Sequence, residues 1–239
     1  MMNLAVDIGN TNVKAAVFEG SERKDYFISG QKPEPENFAS FIKKHAVDRA
    51  VYACVGRKDN ELLRVLLKQF HDAVELTTAT PLPFGSDYKT PETLGSDRIA
   101  LAAGAQKYAD EAMAVDVGTC ITYDIIAGKT YLGGAITPGI KMRLRAMHEF
   151  TAALPLLETP ENALFPGKST QECMQSGGIS SAEHEINGFI ETFRRQFPEG
   201  KVILTGGDAN HLADRLKYYT FANRFLQLEG LNEILNYQR

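Results

Sequence analysis

The sequence predicts an α/β protein built from two related lobes, and three observations carry that expectation. Short apolar strand segments alternate with amphipathic helical ones along the 239 residues. The run Asp7-Ile8-Gly9-Asn10-Thr11 is echoed about half a chain later by Asp116-Val117-Gly118-Thr119-Cys120, each between two strand candidates. A strand-glycine-helix unit also occurs once in each half, at Val51 to Leu67 and Val202 to Leu216. The chain is therefore read as a lobe of residues 1–110 followed by one of residues 111–239, split near residue 111.

The elements follow in order. Asn3 to Phe18 has two apolar stretches around a Gly-Asn-Thr-Asn cluster, a hairpin turning at Gly9 to Asn12. A third strand is expected at Tyr26 to Ile28, then a helix over Pro35 to His45 with Phe38, Phe41 and Ile42 on one face. Ala50 to Val55 is a buried strand ending at Gly56, followed by a helix started by Asp59 with Leu62, Leu63, Leu66, Leu67 and Phe70 aligned. Thr77 to Thr90 reads as loop. Ser96 or Asp97 is expected to cap an alanine-rich helix reaching about Tyr108. Ala112 to Val117 and Cys120 to Ile126 are strand-like, and Tyr131 leads into the glycine-rich stretch Gly133 to Gly139. The spacing of Met174, Ile179, Ala182, Ile186, Phe189, Ile190, Phe193 and Phe197 predicts one long helix stopping at Pro198 and Gly200. Its aromatic residues read as core or subunit interface. Lys201 to Leu204 is a buried strand that ends in Thr205-Gly206-Gly207, with a helix from Asp208.

Composition bounds the function. With 26 Lys plus Arg against 30 Asp plus Glu, the formal charge is −4, so no basic field for nucleic acid exists. Hydrophobic residues at 44% and charged residues at 23% exclude a disordered or fibrous chain. Three scattered cysteines, Cys54, Cys120 and Cys173, fit a reducing compartment. No apolar run approaches the ~18–20 residues of a membrane span, and the N-terminus lacks a basic signal-peptide region. A cytoplasmic protein without a membrane partner is expected.

Several residues have the chemistry of a phosphate site. In the first turn, Gly9 permits close backbone approach, Asn10 and Thr11 add donors, and Lys14 reaches as a point charge. Asp7 beside them suits Mg²⁺. One such turn alone is better explained as a plain β-turn, with Asp7 and Asn10 bonding local backbone. The second turn, Asp116 to Thr119, repeats the carboxylate, glycine and hydroxyl, and the pair favours phosphate binding. Gly206-Gly207 admits either a flat ligand or only tight strand-to-helix packing. At Gly95-Ser96-Asp97-Arg98, Asp97 is a helix cap or a general base, and Arg98 a holder of anionic charge. Asn162 to Ser169 nearly matches a P-loop, but it lacks the first glycine and a preceding strand. The five histidines show no metal spacing.

With these motifs in order, the chain resembles the type III pantothenate kinases, of the superfamily of actin, sugar kinases and heat-shock ATPases. Asp7-Ile8-Gly9-Asn10-Thr11-Asn12-Val13-Lys14 is similar to the family's first phosphate motif. Tyr88-Lys89-Thr90-Pro91 with Gly95-Ser96-Asp97-Arg98 is similar to its pantothenate site and catalytic region. Asp116-Val117-Gly118-Thr119, with Thr122 and Asp124, resembles its second phosphate motif. Gly133 to Gly139 resembles its glycine-rich segment, and Leu204 to Asp208 its adenosine-side turn. Cys120 stands where the family usually has alanine.

The resemblance implies two ribonuclease-H-like lobes with a nucleotide cleft between them, and ATP-dependent phosphorylation of pantothenate, the first step toward coenzyme A. It implies Asp97 as general base, with Tyr88, Gly95, Ser96, Arg98 and Thr170 contacting pantothenate. Asp7, Ile8, Gly9, Asn10, Thr11, Asn12, Val13, Lys14 and Thr119 would contact ATP with Mg²⁺, and Asp116 a monovalent cation, K⁺ or NH₄⁺. It also implies a homodimer, with Thr170 opposite Asp97 of the partner subunit. Two other readings are a sugar kinase of the same superfamily and a related non-enzymatic factor affecting transcription. The full set of phosphoryl-transfer residues favours the kinase.

Overall fold

The structure, a computed structural model, describes residues 1–9, 12–29, 34–55, 60–161 and 163–238. The strands are β1 (Met2–Ile8), β2 (Val13–Glu19), β3 (Glu22–Ile28), β4 (Arg49–Cys54), β5 (Val74–Glu75), β6 (Gly85–Ser86), β7 (Glu111–Val117), β8 (Cys120–Ala127), β9 (Thr130–Pro138), β10 (Lys201–Thr205) and β11 (Phe221–Ala222). The helices are α1 (Pro35–Lys44), α2 (Glu61–Gln69), α3 (Ser96–Gln106), α4 (Ile140–Glu149), α5 (Thr170–Gln196) and α6 (Leu226–Tyr237). They form two compact units: Met1–Tyr108 with Ile126–Leu132 and Phe225–Arg239, and Ala109–Ile125 with Gly133–Arg224.

The first unit is organised by a sheet of order β3-β2-β1-β4-β5. β1 pairs antiparallel with β2 and parallel with β4, so β1 is central and shielded on both faces. Leu4, Val6 and Ile8 on β1, with Val13, Ala15 and Val17 on β2, alternate onto one face. There they meet Phe38 and Ile42 of α1 and Leu62, Leu63 and Leu66 of α2. β1 and β4 also pack on α6, and β4 on α3. Gly104 and Gly230 let α3 and α6 cross closely: a Cβ on Gly230 would lie 1.8 Å from the Ala100 carbonyl oxygen. This backbone contact, with Asn3 donating to Asn232 and Asn236 at 2.9 Å each, seats the C-terminal helix on the first unit.

The second unit repeats the plan. Its sheet runs β11-β10-β7-β8-β9, the order of the first sheet read in equivalent strands. β6 pairs with Thr130 and Tyr131 of β9, residues that count with it in the first unit. β7 pairs parallel with β10, as β1 does with β4. Met113, Val115, Val117, Ile121, Tyr123, Val202 and Leu204 form the sheet's share of the core. Ile140 and Leu144 of α4 cover it with Met174, Ile179, Ala182, Ile186, Ile190 and Phe193 of α5.

Three local expectations are corrected. The cap of α2 is Asn60, whose Oδ1 accepts from the Leu62 and Leu63 amides at 2.8 and 3.4 Å, and Asp59 lies outside the described residues. At the start of α3 the N-cap is Gly95, with no side-chain cap; Asp97 is already inside the first turn and accepts from the Arg98 amide at 2.9 Å. Among the described residues no α-helix starts at Asp208. The Asp208 amide donates to Val117 O at 2.9 Å, and only a 3₁₀ turn, Ala209–His211, forms before irregular turns. The segment is held by local bonds, from the Leu212 and Ala213 amides to Ala209 O and from the Leu216 amide to Leu212 O, instead of a continuous ladder.

Candidate active site

Each Asp-x-Gly turn lies at the carboxyl end of the central strand of its sheet, where open α/β sheets present loops to ligands. In the first unit, Asp7 is buried near the end of β1 and sits opposite Lys14 of β2 in register. The Gly9 amide donates to Asn12 O at 3.1 Å and closes the turn. Asn10 and Thr11, two of the expected contacts, lie outside the described residues. Ile8 and Val13 point into the core, so they offer a ligand main-chain groups only. Ser29 fixes the far side of the turn. Its Oγ accepts from the Val13 amide, and its amide donates to Val13 O, both at 2.8 Å. Its distance in sequence from the motif hid this role.

Most of the residues expected to contact pantothenate lie in the first unit. Arg98 is buried on the first turn of α3, and its guanidinium carbon lies 5.9 Å from the centre of the Tyr88 ring. That ring in turn lies 5.9 Å from Tyr131, which is fully buried. An arginine over an aromatic face is held by the ring's negative quadrupole. Gly95, Ser96 and Asp97 are all partly accessible beside it. Thr170, by contrast, is the exposed first residue of α5 in the second unit, where Ser169 caps the helix by accepting from the Glu172 amide at 3.2 Å.

In the second unit three segments converge on the Gly118-Thr119 turn. The Gly118 amide donates to Cys120 O at 3.0 Å, which closes the turn. The Gly139 amide, at the start of α4, donates to Thr119 O at 3.1 Å. A Cβ on Gly139 would stand only 2.2 Å from Gly118 O, so the start of α4 lies directly on the turn. From the other side comes Gly206, at φ +103°, where a Cβ would stand 2.2 Å from Val117 O and 2.4 Å from Asp116 Oδ1. Asp116 itself pairs with Thr205 across the parallel β7–β10 register. The Asp116–Thr119 turn, the glycine-rich segment and the Leu204–Asp208 turn are thus one cluster.

A hydrogen-bonded network lies behind that cluster. Tyr123 and Thr137 donate to Glu185 Oε1 at 2.9 and 2.5 Å, and Arg143 pairs with Oε2 at 2.6 Å. Burial pushes the Glu185 carboxyl up, but the bonds from Arg143, Thr137 and Tyr123 outweigh it and hold it below its ordinary value. Burial and the same carboxylate push the Tyr123 phenol far up, so it stays a donor. Sequence reading missed this network, because Arg143 and Glu185 are remote in sequence and belong to no motif.

Among the described residues, no three His, Cys, Asp or Glu side chains gather as a protein-only metal cage. The carboxylates expected to meet a cation, Asp7 and Asp116, offer oxygens, each beside a turn. That chemistry fits a hard cation held by one carboxylate and by the ligand's own phosphates. No helix among the described residues is long and apolar enough to cross a membrane.

Comparison with known proteins agrees with the fold. Over 98% of both chains the structure matches the crystal structure of a Baf family transcriptional activator from Campylobacter jejuni, with TM-score 0.62 and 23% identity. Over 99% of both chains it matches a ROK family glucokinase from Streptomyces griseus in complex with glucose and AMPPNP, with TM-score 0.51 and 15% identity. The fold is therefore that of the actin-like and sugar-kinase class. Within that class the sequence is specific. The family model for type III pantothenate kinase matches residues 3–192. Type III pantothenate kinases of Flavobacterium johnsoniae and Phocaeicola vulgatus are 40% and 37% identical, each over 99% of this chain and 98% of theirs. The chain belongs to the type III pantothenate kinase family.

Proposed function

We propose that this protein transfers the γ-phosphoryl group of ATP to the primary hydroxyl of pantothenate, giving 4′-phosphopantothenate and ADP, the first step of coenzyme A biosynthesis. One observation carries the phosphoryl-transfer reading: matching Asp-x-Gly turns close the equivalent ends of two equivalent sheets. Family membership supplies the acceptor.

In this reading Asp97 accepts the proton of the attacking hydroxyl, whose oxygen bonds to the γ-phosphorus as the bond to the β–γ bridging oxygen breaks. Arg98 holds anionic charge next to Tyr88, and Thr170 contacts the acceptor. Asn12 and Lys14 of the first turn and Thr119 of the second contact the nucleotide. Mg²⁺ bound with ATP supplies charge neutralisation, and Asp116 offers its carboxylate to a monovalent cation. The residues otherwise contribute position, which is most of what such a transfer requires. A second copy of the chain completes the site. In its support, Phe150, Leu164 and Phe165 of the second unit are 88%, 82% and 86% exposed.

The test is pantothenate-dependent ADP release by the wild type and by Asp97→Asn, with a sugar panel as alternative acceptors. The expected result is turnover with pantothenate alone and a loss of at least about 10²-fold in Asp97→Asn, with ATP affinity retained. Near-wild-type turnover in Asp97→Asn would remove the base assignment. Activity is also expected to require K⁺ or NH₄⁺, and full activity in a sodium-only buffer would remove the cation role of Asp116.

A further inference from the structure

The geometry points to Arg143 and Glu185 as positioning residues that set the nucleotide-binding turn Gly118-Thr119 through the start of α4. The inference rests on the proposed nucleotide role of that turn. Arg143 lies on the first turn of α4 and spends its guanidinium on two other elements, β9 and α5. Nε donates to Pro138 O at 2.8 Å and Nη1 to Ser181 Oγ at 3.2 Å. Nη2 donates to Glu185 Oε2 at 2.6 Å and, at 3.5 Å, to Thr137 Oγ1. The ion pair is shielded, with side chains 16% and 23% exposed. Glu185 projects from the middle of α5, whose Ile186 and Ala182 are anchored in the core. The carboxylate is thus a fixed post, further braced by Tyr123 of β8 and Thr137 of β9.

The link to the site is the backbone that Arg143 grips. Pro138 immediately precedes Gly139, whose amide holds Thr119 O at 3.1 Å and whose Cα rests against Gly118 O. There is no slack at that contact, since even a methyl group would overlap the turn. A planar fork is suited to hold a carboxylate and a carbonyl at once, whereas a lysine ammonium serves one geometry or the other. Removing the fork frees Pro138-Gly139 from α5, and the turn it supports loses its fixed position. Displacing a binding group by about 1 Å costs up to about 10²-fold.

The test uses Arg143→Ala, Arg143→Lys and Glu185→Gln in the full-length protein, with Arg145→Ala as control. Arg145 pairs only with the exposed Glu149 of its own helix, at 3.1 Å, among the described residues. Steady-state KM values for ATP and pantothenate are read beside calorimetric affinity for a non-hydrolysable ATP analogue. Arg143→Ala is expected to raise KM for ATP and the analogue's Kd about tenfold or more. KM for pantothenate should stay within about threefold, the split that separates positioning from general loosening. Glu185→Gln should give a smaller rise in the same direction, Arg143→Lys a partial recovery, and Arg145→Ala no change. The double variant Arg143→Ala/Glu185→Gln should be no worse than Arg143→Ala, because the two act as one unit. Analogue affinity within twofold of wild type in folded Glu185→Gln and Arg143→Ala overturns the proposal, as does an equal rise in both KM values. If Arg143→Ala does not fold, Glu185→Gln and Arg143→Lys decide it. A wild type that binds the analogue but does not turn over pantothenate would count against the acceptor assignment alone.

Discussion

Gly206→Ala is the sharpest perturbation of the second turn, and its size follows from the coordinates. At φ +103° the residue occupies backbone space that an L side chain adopts at a cost of about 1–2 kcal/mol. The added methyl would stand 2.2 Å from Val117 O, whereas carbon-to-oxygen contacts settle near 3.3 Å, so the two strands must part by about 1 Å. Val117 O also accepts from the Asp208 amide at 2.9 Å, and losing that bond adds about 1 kcal/mol. A total of about 2–3 kcal/mol corresponds to a fall in Tm of about 4–12 °C for a chain of this size. The same displacement moves Asp116 and the turn beyond it, so affinity for an ATP analogue should fall at least about tenfold. Differential scanning calorimetry and equilibrium binding read the two effects separately. Gly207→Ala is the internal control for stability, since a Cβ there meets nothing within 4 Å, and its Tm should move by less than about 2 °C. A Gly206→Ala protein that melts with the wild type and binds the analogue equally well would refute the packing argument.

Gly230→Ala should destabilise by about 3 kcal/mol or more, because its methyl would meet Ala100 O at 1.8 Å and the Gly104 amide nitrogen at 2.7 Å, both backbone atoms. Urea unfolding measures it, and an unchanged midpoint would refute the close crossing of α3 and α6. Asp25→Asn tests the acid limb of stability. The Lys44 ammonium holds the Asp25 carboxyl down to about 2, against burial and with help from His45. Its folded value lies below its ordinary one, so its contribution is present above about pH 4 and fades as pH falls through 2. The variant should therefore lose less stability than wild type between pH 4 and pH 2, by under about 1 kcal/mol for a pair this accessible. Parallel stability curves in that window would refute the pairing.

The parts of the fold legible in the sequence are those with local periodicity. β1, β2, β4, β7, β8 and β10 stand out as apolar runs, and the stripe from Met174 to Phe193 marks α5. α4 does not announce itself, because Ile-Lys-Met-Arg-Leu-Arg-Ala-Met-His-Glu buries only Ile140 and Leu144. A helix that narrow-faced is stabilised by its tertiary contacts, not by a pattern of its own. α6 was unreadable for a different reason: its seat on the first unit depends on Gly230 meeting Ala100 and on Asn232 and Asn236 meeting Asn3, pairings between residues far apart in sequence. The helix expected from Asp208 does not form: the Asp208 amide donates to Val117 O at 2.9 Å, and the 3₁₀ turn Ala209–His211 follows it. At the site, Asp116 to Thr119 was legible as a motif, but its supports were not. Gly139 was visible only as part of a glycine-rich stretch, and Arg143 and Glu185 carried no signal at all.

The echo between Asp7 and Asp116 has a topological basis, and the two turns it marks have nonetheless diverged in a definite way. Both follow the central strand, and both close by a glycine amide donating to a nearby carbonyl, Gly9 to Asn12 O and Gly118 to Cys120 O. The first bond spans three residues and the second only two, so the second turn is tighter. The first turn is fixed from one flank by Ser29, and Lys14 projects from the strand that follows it. The second is packed from both sides by backbone, Gly139 on Gly118 O and Gly206 on Val117 O, leaving no freedom for adjustment.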